Sequence, residues 1–150
     1  TKPTHPNAEP ANRDALLVAM AREGIRIVDI DLPVADLAPF ATRVCAAIHL
    51  ARPASPILIV APAASAGHLP SIALAQRRAH REVRGYVLID PDSDAAGIPA
   101  GSDWPDAPVT CISYREPVPA WVRLRDWPSV TCSSLEGVAR TISDRAGSGA

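Results

Sequence analysis

Apolar positions along this chain alternate between two periods, short aliphatic runs and stretches with apolar residues three and four apart, the mark of strands followed by amphipathic helices. Residues 1–12 are proline-rich, polar and aperiodic, which predicts a flexible tail. A helix is expected over Arg13–Arg22, with Leu16, Leu17 and Met20 on one side, Asn12 as its cap and Gly24 as its stop. Ile25–Leu32 (IRIVDIDL) reads as a strand closed by Pro33, and Asp36 as the cap of a helix reaching Leu50 with Leu37, Phe40, Val44, Ala47 and Ile48 inward. Ile57–Val60 reads as a strand, followed by a small-residue turn and a helix from Ala64 to His80. Gly85–Asp90 is the next strand, ended by Pro91, and 91–108 is a loop. Val109–Tyr114 and Val130–Cys132 are further strands, Trp121–Leu124 a short helix, and Leu135–Arg145 a final helix with Leu135, Val138, Ala139 and Ile142 as its stripe.

Strands that alternate with helices predict an α/β fold, a three-layer sandwich around a mostly parallel sheet of about five strands. One domain over 13–146 is expected, with 147–150 as a second flexible tail.

Composition narrows the function. A formal charge of −1 with mixed signs gives no field for nucleic acid. No apolar run approaches the roughly 20 residues that span a bilayer, and the first residues lack a signal-peptide pattern, so no membrane partner and a cytoplasmic location are expected. Cys45, Cys111 and Cys132 lack metal-ligand spacing and read as reduced core thiols, although Cys111 and Cys132 on neighbouring strands would be candidates for a disulfide.

The stretch ILIVAPAASAGHLPSIALAQ, Ile57–Gln76, places a turn at the carboxyl end of a strand and the start of a helix, where parallel sheets hold ligands. In order of elements the chain resembles the second half of an α/β-hydrolase. The segment Gly24–Pro33 is similar to the family's strand ending in Asp-Leu-Pro, GYVLIDPD to its sixth strand, and the last helix to its carboxyl-terminal helix. The resemblance implies a nucleophile elbow, G-x-S-x-G, after the Ile57 strand, where this chain has VAPAASAG. An ungapped match puts Ala63 on the nucleophile, and a methyl group attacks nothing. A match on the A-A-S-A-G stretch puts Ser65 there but lengthens the turn by two residues. The ungapped match is preferred.

The family's histidine belongs after the last strand, where VTCSSLEGVART has none, and without an imidazole a serine hydroxyl is not activated. Glu116 or Asp90 stands where the resemblance implies the acid. The family's first three strands, with its oxyanion donors, have no counterpart here, and its cap is reduced to 91–108.

Other groupings carry blander readings beside the functional one. His68 follows Ser65 by three residues, a candidate dyad or simply a capping serine and a first-turn histidine. His49 and His80 close helices. Asp29, Asp31, Asp90 and Asp92 stand in or after strands, but alternation favours solvent-facing or capping use, so no metal is expected. No phosphate-loop pattern is present and no cofactor is expected. Trp104, Trp121, Trp127 and Tyr114 are placed in loops at the upper rim, as core cover or as a contact surface rimmed by Arg115, Arg123 and Arg125.

Together these give two expectations. The first is a trimmed hydrolase relative without serine-hydrolase activity that binds a partner or a small apolar ligand at Pro62, Ala63, Ala64, Ser65, His68, Asp90, Trp104, Tyr114, Glu116 and Trp121. Its partner is a second copy or another protein that completes the sheet edge. The alternative is a biosynthetic cyclase, acyltransferase or hydrolase using Ser65, His68 and Glu116 in non-triad chemistry on an acyl intermediate.

Overall fold

The structure, a computed structural model, describes residues 10–31, 39–91, 103–114 and 116–147. Helix α1 spans Pro10–Arg22, α2 Phe40–Ala51 and β1 Ile57–Pro62; a 3-10 helix over Ala63–His68 leads into α3, Leu69–Arg78. Then come β2 Val83–Ile89, β3 Val109–Ser113, α4 Ala120–Leu124, β4 Ser129–Thr131 and α5 Leu135–Gly147.

The four strands form one parallel sheet in the order β1-β2-β3-β4. Side chains alternate across it. Tyr86, Leu88, Val109 and Cys111 join Ile48 of α2, Leu69 and Ile72 of α3 and Val122 of α4 on one face. Val87 and Ile112 join Met20 of α1 and Val138 and Ile142 of α5 on the other. The result is helices, sheet, helices, an α/β architecture in three layers. Strands β2 and β3 hold its centre, and each large aliphatic side chain wholly buried there contributes about 1.5–3 kcal/mol.

Local chemistry sets the element ends. Residues Pro10–Arg22 are helical, so the backbone of Asn12 lies inside α1 and not at its start. Gly24 closes α1 at φ 78°, with its N–H donating to the Ala21 carbonyl and the Ile25 N–H to the Met20 carbonyl. This paired closure needs a left-handed residue, hence glycine. Ser134 caps α5 by accepting the Gly137 N–H at 3.1 Å. Helix α2 starts at Phe40; its expected cap Asp36, like residues 1–9, Leu32, Asp92 and 148–150, lies outside the described residues.

One strand expectation is corrected. Ile25–Asp31 carries no strand, so the described sheet has four strands, not five. The segment is held by side chains: Ile25 and Ile27 pack on one core, Ile30 on the other, and Arg13 pairs with Asp29 and donates to the Ile30 carbonyl at 3.0 Å. Apolar alternation records which side chains are buried, and it is met here without a backbone ladder. Among the described residues, β1 is therefore hydrogen-bonded on one side only.

Candidate functional site

The expected site lies where β1 ends. Pro62 is the last, exposed residue of β1, with φ −56° and ψ 140°, and Ala63 opens the 3-10 helix with its methyl group buried. Ala64 is exposed and Ser65 half-buried within that helix. None of residues 62–69 has positive φ, so the turn lacks the strain of a nucleophile elbow. Alanine-rich, β-branch-free sequence lets the chain coil immediately after the strand instead of presenting one residue at a tip.

His68 is exposed and its ring lies 4.8 Å from that of Phe40, tilted by 44°. Among the described residues no imidazole is hydrogen-bonded to the Ser65 hydroxyl, so the Ser65–His68 pair is not assembled as a dyad.

The left-handed residue at this edge is Asp90, φ 58°, directly after β2, with its N–H donating to the Ile112 carbonyl at 2.8 Å. Asp90 is exposed, as expected for an aspartate in that conformation with its carboxylate in water. Tyr114 follows β3 half-buried; burial first, then the Asp90 carboxylate, push its hydroxyl above the ordinary tyrosine range. Glu116 is exposed. Pro62–His68, Asp90, Tyr114 and Glu116 thus share the carboxyl edge of the sheet, but as a surface of separate groups.

The three tryptophans expected at the upper rim belong elsewhere. Trp104 and Trp127 lie in the segments that lead into β3 and β4, at the amino edge, and Trp121 is in α4. Trp104 and Trp121 are buried, not rim residues. Trp104 meets Tyr86 and Trp127 edge-on at 5.2 and 5.6 Å, and Trp121 meets Trp127 at 6.3 Å. The Arg125 guanidinium stands 5.4 Å from both the Trp121 and Trp127 rings. This cluster seals the core under the loops. Position within a loop does not say at which end of a sheet that loop lies, and the misplacement follows from that.

A polar link at the same edge has no advance signal in the chain. The buried Tyr86 hydroxyl donates to Asp106 at 2.7 Å, and Arg77 donates to the same carboxylate at 2.9 Å. Burial and then the Asp106 bond raise the Tyr86 hydroxyl far above its ordinary range, so it stays a donor. Its three members are distant in sequence, and only the fold joins them.

Asp29 is engaged by Arg13 and Asp31 is exposed. Among the described residues no three His, Cys, Asp or Glu side chains gather as a metal site, and no helix is long and apolar enough to cross a membrane. The three cysteines are free; Cys111 and Cys132 face opposite cores, so the sheet separates their sulfurs. Comparison with protein-family models, curated proteins and solved structures gives no match.

Proposed function

We propose that this chain is a trimmed, catalytically silent relative of the α/β-hydrolases that acts as an assembly partner, its β1 edge pairing with a strand of a second copy. The observation that carries this reading is the position of β1. Its ILIVA sequence is a continuous aliphatic run of the kind found in strands flanked on both sides within parallel sheets, yet among the described residues it stands at an edge. Its residues are only half-buried, whereas β3 is buried throughout. Edge strands are ordinarily blunted by charge or proline, and β1 has neither before Pro62.

The carboxyl edge supports the silent half of the reading. Its turn is unstrained, Ala63 is buried at the position matched to the nucleophile, and His68 is turned to solvent beside Phe40. An exposed His68 equally speaks against the biosynthetic alternative, which needs that imidazole inside a pocket.

The edge geometry supplies a test. The Ile57 N–H donates to Glu82 and the Tyr86 N–H to Pro108, so by alternation Ile57, Ile59 and Ala61 point their backbone groups at β2, while Leu58 and Val60 point theirs outward. Val60→Pro removes an outward donor and leaves the β1–β2 ladder intact. Sedimentation equilibrium is expected to show wild-type dimers and Val60→Pro monomers with unchanged far-ultraviolet circular dichroism. A wild-type chain that stays monomeric at the highest concentration reached sinks the proposal.

A further inference from the structure

The segment Ile25–Asp31 forms no ladder, yet its side chains keep a strand's alternation across the plane of the sheet. Ile25 and Ile27 join the core on the α1 and α5 side, as do Leu58 and Val60 of β1, and Ile30 joins the opposite core, as does Ile59. A segment that reaches both cores has to run along a border of the sheet, because hydrogen-bonded strands close the interior to it. Its direction follows from its two ends. The Ile25 N–H donates to the Met20 carbonyl near the end of α1, while Arg13, near the start of α1, pairs with Asp29 and donates to the Ile30 carbonyl at 3.0 Å. The segment therefore returns along α1, and the lengths agree: Arg13 to Arg22 as helix and Ile25 to Asp29 as extended chain each span about 13 Å.

The neighbours of the segment select the border. Helix α1 lies against α5 and α5 against β1 and β2, while the chain after the segment enters α2, which packs on α3 and leads into β1. The border between these elements is that of β1. Among the described residues the amides of 26–31 find no backbone acceptor, so the segment stands by β1 without pairing to it. Covering an edge with a loop is one of the ways in which sheets avoid joining other chains. This cover is loosely held. Ile25, Ile27 and Ile30 are only half-buried, Arg26, Val28 and Asp31 are exposed, and the polar fastening is Arg13, whose side chain and that of Asp29 are 43% and 41% exposed.

We infer that Ile25–Asp31 is a strap over the β1 border that competes with a second copy of the chain, with Arg13 as the positioning residue that fastens it. The inference rests on the reading of β1 as the pairing edge and adds its regulation: assembly requires the strap to swing aside, and whatever weakens the Arg13 fastening favours the dimer. An ion pair so open to water is screened by salt, so ionic strength acts on the strap directly.

Sedimentation equilibrium at low and high sodium chloride tests it on the wild type, Arg13→Gln and Asp29→Asn. At low salt each variant is expected to dimerise about two- to thirtyfold more tightly than the wild type, because two fastenings are removed per dimer. Added salt should tighten the wild-type dimer towards the variants and leave the variants unchanged. The exchanged double variant, Arg13→Asp with Asp29→Arg, should recover the weaker dimer and its salt response. Unchanged far-ultraviolet circular dichroism separates a freed strap from lost folding. Dimers of equal strength in all forms and at both salt concentrations overturn the strap and leave the β1 pairing standing. Dimers in the variants alone, abolished by Val60→Pro, uphold the strap and overturn self-assembly of the intact chain, whereas monomers in every form overturn both.

Discussion

Gly85→Ala sets two effects of known size against each other. Gly85 has no positive φ, so alanine fits its backbone, and reduced freedom of the unfolded chain should stabilise by about 0.4–1 kcal/mol. Against this, an added β-carbon would meet the Pro108 carbonyl oxygen at 3.0 Å and Leu58 Cδ1 at 3.5 Å. The Leu58 contact is ordinary, and its side chain can turn. Pro108 is backbone and already accepts the Tyr86 N–H at 2.9 Å, so relief requires β3 to move away and stretch the first bond of the β2–β3 ladder. Overpacking of this kind costs about 1–3 kcal/mol, which leaves a net loss centred on about 1.3 kcal/mol. Urea unfolding followed by tryptophan fluorescence should show the midpoint lowered by roughly 0.5–1 M with an unchanged slope. Gly147→Ala is the matched control: nothing lies within 4 Å of its added carbon, and it should be neutral or slightly stabilising. If Gly85→Ala proves as stable as the wild type, the close approach of β2 and β3 does not constrain this position and the reasoning fails.

Two further outcomes follow from the core and the turn. Burial pushes the Cys111 thiol from 9.0 up to about 11, so its protonated form belongs to the fold; the contribution is complete below about pH 9 and is lost as pH rises through 11. Two units amount to about 3 kcal/mol, and urea unfolding between pH 8 and 11 should fall more steeply for the wild type than for Cys111→Ala; equal slopes would refute this. Wild-type protein and Ser65→Ala should hydrolyse a p-nitrophenyl ester at the same background rate, and a rate that depends on Ser65 would restore the hydrolase reading.

The chain states its elements more clearly than their neighbours. The aliphatic runs at Ile57, Tyr86 and Val109 and the stripe of Leu135, Val138, Ala139 and Ile142 are visible because burial on one face or two imposes its own period. Ile25–Asp31 has the same alternation, but a strand also needs a partner, and pairing is not written in any one segment. The site divides likewise. The unactivated serine and the absent histidine after β4 can be read directly, because they concern which atoms exist. The edge at which Trp104 and Trp127 lie cannot, nor can the meeting of Arg77, Asp106 and Tyr86, because these depend on where loops return. One local sign of the close approach of Pro108 to β2 was present: a glycine within the β2 run, a position that often marks such an approach.

The sheet's two borders are unlike each other. Strand β4 has only three residues, with Ser129 and Thr131 in water, and offers little to extend. Growth by strand addition can therefore proceed from one border alone, and joining two molecules through β1 consumes it in both. The proposed union would be closed by its own symmetry: eight strands of described residues bounded by two short polar margins, which would leave a third molecule little on which to start a fibre.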